Sequence, residues 1–332
     1  MNDMVNQSVL QDLCGKDSVL RSIQFTDLYL GSDATWLSGV PGTMDPIAAP
    51  AEWAICLGEL RNLCQQNSVS TSREEFAVTH EDVTFRCSIL RTLDEDVFVL
   101  RRFPETVPDI ESLGIHPEYV KALLKPGLTG LVLVAGAFGQ GKTTTASAIV
   151  KSRIEKFGGV AVCIEDPPEM PLQGRHGEGV IYQRWAEEGG FANECRKAAR
   201  WAPSIIFVGE IRDTDTAIEA LKASINGRLA VATVHSDSAR TAVDRLFTLA
   251  SSKSANSDDI ASLMGSGLRV VMHQKLEGSP TKHIKVEYLS LDGDDQIAIR
   301  GLIRQRKFQQ LDSAIQQQRN QMLLNPTRST GN

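Results

Sequence analysis

The chain has 332 residues, 42% hydrophobic and 23% charged, ordinary proportions for a globular protein with room for two domains. A net charge of −6 supplies no global basic field, so direct nucleic-acid binding is not expected. Six cysteines without a C-x-x-C pair argue against a zinc knuckle and a disulfide framework. No apolar run is long enough to span a bilayer and no basic-then-apolar leader opens the chain, so a cytosolic protein is expected, reaching membranes only through partners. In chain order, Phe25–Leu30 alternates like a strand, and Gly31–Pro50 is rich in turn residues. Glu52–Cys64 carries Trp53, Ile55, Cys56, Leu60 and Leu63 at roughly helical spacing. Val83–Leu90 and Val97–Arg101 alternate again, with Asp94-Glu95-Asp96 as the hairpin turn between them. This predicts a small α+β domain over residues 1–104. Pro104 and Pro108 disfavour helix and predict a linker over 105–113.

From about 109 to 290 apolar strands alternate with helices, the pattern of an α/β domain, placed at 114–324, with a mostly parallel sheet covered on both faces. The predicted strands are Leu131–Val134, Val160–Ile164, Ile205–Val208 and Leu229–Val234. A helix is expected to run to about Phe157 and stop at Gly158-Gly159; another, over Thr214–Ile225, has Asp213 as N-cap. Gln305–Leu324 reads as helix, and 325–332 as a disordered polar tail.

The stretch Gly136-Ala137-Phe138-Gly139-Gln140-Gly141-Lys142-Thr143 fits G-x-x-x-x-G-K-[ST], the phosphate-binding loop of P-loop NTPases. It follows an apolar strand and opens a helix, so backbone N–H groups and the helix dipole face an anion. Residues 136–144, Thr144 included, are the expected ATP site. Lys142 would reach the β- and γ-phosphates, and the Thr143 hydroxyl would sit on Mg²⁺. Three more strands deliver polar groups at their C-terminal ends, where open α/β sheets place ligands. Ile205–Val208 leads to Glu210, a Walker B-type acid that either holds Mg²⁺ through a water or orients the attacking water. Val160–Ile164 leads to Glu165 and Asp166, and Leu229–Val234 leads to His235. The other histidines, His80, His116, His176, His273 and His283, receive no role from the sequence.

The order phosphate loop, I-E-D-P-x-E, G-E-x-R-D and T-x-H resembles the bacterial type II/type IV secretion ATPase superfamily. Within it, the PilT-like retraction branch is the nearest likeness. Gln183-Arg184, Val243-Asp244-Arg245 and Ala298-Ile299-Arg300-Gly301-Leu302-Ile303-Arg304 are similar to segments of that branch, as are Arg86 and Arg101 on their two strands. The resemblance implies a PAS-like N-terminal domain joined to a RecA-like ATPase domain, and a homohexameric motor. That motor would sit at the cytoplasmic face of the bacterial inner membrane, bound to a platform or other pilus or secretion proteins. It implies that Glu165 and Glu210 position water and Mg²⁺, and that His235 senses the γ-phosphate or a neighbouring subunit. Arg86 and Arg101 would bring positive charge to the transition state; read without the resemblance, they are exposed strand arginines. A conjugative or effector-transfer motor shares the same chemistry, and a nucleotide-binding regulator with little hydrolysis is a further alternative. Trp201, in a stretch where acids are expected, and Arg228, where a histidine is expected, motivate the latter; a further departure is Ala137-Phe138 in place of Pro-Thr.

Overall fold

The computed structural model describes residues 18–71, 74–186, 190–253, 256–278, 282–293 and 295–324. The expected disordered tail, 325–332, lies outside them. The chain divides into two compact units, residues 1–105 and 106–332.

In the first unit, alternation of apolar residues builds one antiparallel sheet of β1 (Asp27–Leu30), β2 (Thr35–Ser38), β3 (Ile47–Ala48), β4 (Glu75–His80), β5 (Val83–Arg91) and β6 (Asp96–Arg102), in the order β3-β2-β1-β6-β5-β4. The stretch read as turns, 31–50, holds β2 and β3. At four and two residues they are too short for alternation to stand out among the glycines and prolines. The predicted helix is present but runs over Ala54–Thr71, past the last apolar residue of the Glu52–Cys64 pattern. Leu28, Leu37, Leu60, Phe85 and Leu100 are fully buried, so one face of the sheet packs on this helix as a common core. Phe25 stacks on Phe85 with ring centroids 6.3 Å apart.

The second unit is built on an eight-stranded sheet: β7 (Gly130–Gly136), β8 (Val160–Glu165), β9 (Gly174–His176), β10 (Gly179–Trp185), β11 (Ile205–Val208), β12 (Leu229–His235), β13 (Leu268–Glu277) and β14 (His283–Ser290). The order is β14-β13-β7-β12-β11-β8-β10-β9, parallel except for β14 and β9 at the edges. Leu131 and Leu133 point into one core, Val132 and Val134 into the other. This is why β7 is apolar at every position: both faces are covered, and each such side chain contributes about 1.5–3 kcal/mol of burial. The helix Lys142–Phe157 covers one face; Thr214–Ile225, Ala239–Ser251 and Ser257–Gly267 cover the other. Residues 106–113 pack on this unit, with Val107 and Ile110 buried and Lys151 2.6 Å from Asp109.

The predicted single helix over Gln305–Leu324 is corrected. A helix over Gln296–Arg304 ends first, Arg306 adopts a left-handed φ of 58°, a short 3-10 turn spans Phe308–Gln310, and the last helix is Leu311–Leu324. Phe308 and Leu311 are buried, so packing bends the chain where its glutamine-rich composition reads as continuous helix.

Candidate active site

The parallel register aligns the C-terminal ends of β7, β12, β11 and β8. His235 pairs with Gly136, and Val208 pairs with Ile164 one residue before Glu165. The four polar strand ends found in the sequence therefore meet along one edge, around a cavity of about 330 Å³. Residues 138–144, Glu165, Glu169, Glu210, Arg212 and His235 line it.

At Gly136 a Cβ would lie 2.6 Å from the Gln274 carbonyl oxygen, so only glycine lets the loop leave β7 beside β13. Gly141, with a φ of 74°, precedes the Lys142–Phe157 helix, and no side chain caps that helix. Its first-turn N–H groups are left for an anion, with the helix dipole behind them. Gln140 fixes the loop from the other side. Its side-chain oxygen accepts from Leu276 N at 2.6 Å, and its carbonyl accepts from the Gln274 side chain.

Lys142 is 7% exposed. Its Nζ donates to the Ala137 carbonyl at 2.8 Å and to His235 Nδ1 at 3.3 Å. Burial lowers the pKa of Lys142, against the opposing pull of Glu210 and Glu169. On the other side of the ring, His235 Nε2 lies 3.1 Å from Glu210 Oε1, and Arg212 Nε donates to Glu210 Oε2 at 2.8 Å. Burial also lowers the His235 pKa; Glu210 opposes this, while Lys142, Arg245 and Arg212 add to it. A neutral imidazole that accepts at Nδ1 and donates from Nε2 satisfies both partners. His235 thus joins the loop lysine to the strand-end acid through one ring.

Glu165 sits in a different environment. It is 2% exposed, and its Oε1 accepts from Gln183 Nε2 at 2.9 Å. Its Oε2 has no hydrogen-bond partner among the described residues. Burial pushes the carboxyl up to about 7, with the Glu169 charge adding and the Gln183 side chain and the Glu169 backbone N–H opposing. An oxygen with a free lone pair and a pKa near neutrality is suited to take a proton from water. Thr143, Glu210, Glu165 and Glu169 present oxygen donors to the same cavity, a hard set that fits Mg²⁺.

Gln183 was read from the sequence only as part of a family-like segment. Its side chain also donates to the Met170 carbonyl and accepts from Leu172 N and Gln173 N, each at 2.8 Å, so it ties the loop after β8 to Glu165. Trp185 Nε1 donates to Asp166 Oδ1 at 3.0 Å in the same way. Neither role carries a sequence signal, because it depends on β10 lying beside β8. Phe138 is 88% exposed and stacks on His235, with ring centroids 6.1 Å apart.

Arg86 and Arg101 belong to the first unit, where they are cross-strand partners on β5 and β6. Arg86 donates to both Glu75 oxygens at 3.0–3.1 Å, and Arg101 to both Asp27 oxygens at 2.7 and 3.2 Å. The two unusual residues have structural partners. Arg228 donates to the Ala199 carbonyl at 2.7 Å and precedes β12, at the end of the strand opposite His235. Trp201 carries the Arg184 guanidinium over its ring at 5.7 Å.

Residues 62–323 match the model of the type II/IV secretion system protein family. A twitching motility protein of Neisseria gonorrhoeae is 30% identical over 70% of this chain and 61% of its own length. A type IV pilus retraction ATPase of Pseudomonas aeruginosa is 32% identical over 66% of this chain and 62% of its own. An uncharacterized protein of Escherichia coli, YggR, is 35% identical over 65% of each. The chain thus spans about six tenths of the length of these relatives. Among solved structures, a pilus retraction motor with bound ADP superposes with a TM-score of 0.74, at 24% identity, over 90% of this chain and 87% of that one. The Legionella pneumophila ATPase DotB gives 0.67, at 22% identity, over 86% and 85%. These likenesses agree with a RecA-like α/β fold preceded by an N-terminal domain, and the family match is extensive: the chain belongs to the type II/IV secretion system protein family.

Proposed function

We propose that the protein is an ATP-hydrolysing motor that works as a ring of six copies at the cytoplasmic face of the bacterial inner membrane. It would power retraction of a type IV pilus or the stroke of a related secretion machine, through a membrane-embedded platform and without contacting nucleic acid. The observation that carries this reading is the convergence of Lys142, Glu165, Glu210 and His235 around one cavity beside an uncapped helix N-terminus.

In this reading the loop amides of 136–144 and Lys142 hold the ATP phosphates, and Lys142 leaves the Ala137 carbonyl to do so. Mg²⁺, when bound, neutralises phosphate charge, with Thr143 and Glu210 as its holders, Glu210 directly or through water. Glu165 takes the proton from the water that attacks the γ-phosphate. His235, between Lys142 and Glu210, reports the presence of that phosphate to the Glu210–Arg212 pair. Arg86 and Arg101 supply charge to the transition state after exchanging Glu75 and Asp27 for phosphate oxygens, which couples hydrolysis to motion of the N-terminal unit.

Steady-state ATP turnover of the wild type and Glu210→Gln tests the enzymatic part. Turnover in the wild type, lost in the variant, is expected. A wild type no faster than the variant would favour a nucleotide-binding regulator. For the cellular role, a strain lacking the gene is expected to extend pili and fail to retract them; normal retraction would point to a transfer motor instead.

A further inference from the structure

The first unit carries a second cluster of ligand-type side chains, chemically unlike the oxygen set around Thr143 and Glu210. Cys56 and Glu59 stand about one turn apart on the Ala54–Thr71 helix, while His80 ends β4 and Glu81 opens the turn to β5. One ligand atom from each of Cys56, His80 and Glu81 lies within 4.8 Å of the others. A Glu59 carboxylate oxygen is 3.6 Å from His80 Nε2, beyond hydrogen-bond distance. His80 Nε2 is buried and has no hydrogen-bond partner among the described residues, and Cys56 is 7% exposed.

The turn that carries Glu81 is held in place. Glu81 and Asp82 both adopt left-handed φ values, 47° and 61°. The Ser18 hydroxyl donates to Glu81 at 2.8 Å, and Arg21 donates to the Asp82 carbonyl at 3.1 Å. A buried thiol, an unpartnered imidazole nitrogen and the Glu81 carboxylate therefore converge where a dication would satisfy all three, with the Glu59 carboxylate beside the imidazole.

We propose that Cys56, His80 and Glu81, with Glu59 as fourth donor, form a site for a divalent ion of the zinc class that staples the helix to the β4–β5 hairpin. Thiolate and imidazole donors favour Zn²⁺ and disfavour Mg²⁺ and Ca²⁺, which take oxygen ligands. As the metal–sulfur bond forms, the Cys56 proton leaves to solvent, and His80 ligates through Nε2 while its Nδ1 keeps the proton. No named spacing signals this set, because its members come from a helix and a hairpin turn that only the fold brings together.

The test is titration of the full-length, reduced, chelator-stripped protein with Co²⁺, which reports thiolate ligation spectroscopically, followed by Zn²⁺ in competition with a chromophoric chelator. One equivalent of Co²⁺ should give a sulfur-to-metal charge-transfer band that Zn²⁺ abolishes. Cys56→Ser should lose the band, and Cys56→Ser and His80→Gln should each weaken Zn²⁺ binding by at least about 10-fold. Cys195→Ala should keep the band. Far-UV circular dichroism checks the fold of each variant; should Cys56→Ser fail to fold, His80→Gln decides. Absence of a band at one equivalent, its survival in Cys56→Ser, its loss in Cys195→Ala, or unchanged Zn²⁺ affinity in a folded His80→Gln would overturn the proposal.

Discussion

At the scale of single residues, the site separates two glutamates by environment. Glu210 is partly exposed and braced by Arg212 and His235, whereas Glu165 is buried with one free oxygen. The Glu165 pKa rises from 4.5 to about 7 on folding. The unfolded state thus releases this proton more readily than the folded one, and stability falls as pH rises between those two values. The cost at pH 8 is on the order of 3 kcal/mol. Glu165→Gln, which keeps an acceptor for Gln183, should therefore raise the melting temperature at pH 8 and change it little at pH 5; a shift of equal size at both would show that Glu165 is not buried as a carboxyl. The same group used as a base makes wild-type turnover rise with pH through about 7. A flat pH–rate profile from 6 to 8 would remove Glu165 from that role.

Among the elements, what was legible in the sequence followed from burial on both faces. Ile205–Val208 and the helices ending at Phe157 and spanning Thr214–Ile225 appear as read, because an unbroken apolar run, Asp213 as N-cap and Gly158 as stop are local signals. The strands β9, β10, β13 and β14 were not read, and neither were the hydrogen bonds that Gln183 on β10 and Gln274 on β13 make to the loops beside them. Their position comes from which strand lies beside which, and that is a tertiary property. Gln183→Leu would remove the acceptor shared by Leu172 N and Gln173 N and the side-chain donor to Glu165, releasing Glu165. It should lower turnover while leaving ADP affinity by calorimetry nearly unchanged; an equal loss in both would mean that it shapes the nucleotide site as a whole. Asp213 accepts from Thr216 N at 2.9 Å, so Asp213→Ala should cost about 1 kcal/mol in denaturant unfolding. A change near zero would show that the cap is not used.

For the whole molecule, the N-terminal unit holds its two candidate arginines in ion pairs, Arg86 with Glu75 and Arg101 with Asp27. Their use in catalysis requires that these pairs open, so Arg101→Ala should lower turnover far more than ATP affinity. Equal effects on both would confine Arg101 to binding. The motif residues were legible because they sit at strand ends in one unit; the arginines were legible only by likeness, since nothing local marks a strand arginine as catalytic. The central claim is that the edge formed by β7, β8, β11 and β12 hydrolyses ATP. The most direct measurement is steady-state phosphate release by the wild type, Lys142→Ala and Glu165→Gln, alongside ATP binding. The account predicts turnover in the wild type and ATP binding without turnover in Glu165→Gln, with a loss of at least about 10²-fold. It predicts loss of binding or turnover in Lys142→Ala. Unchanged turnover in either variant would contradict it.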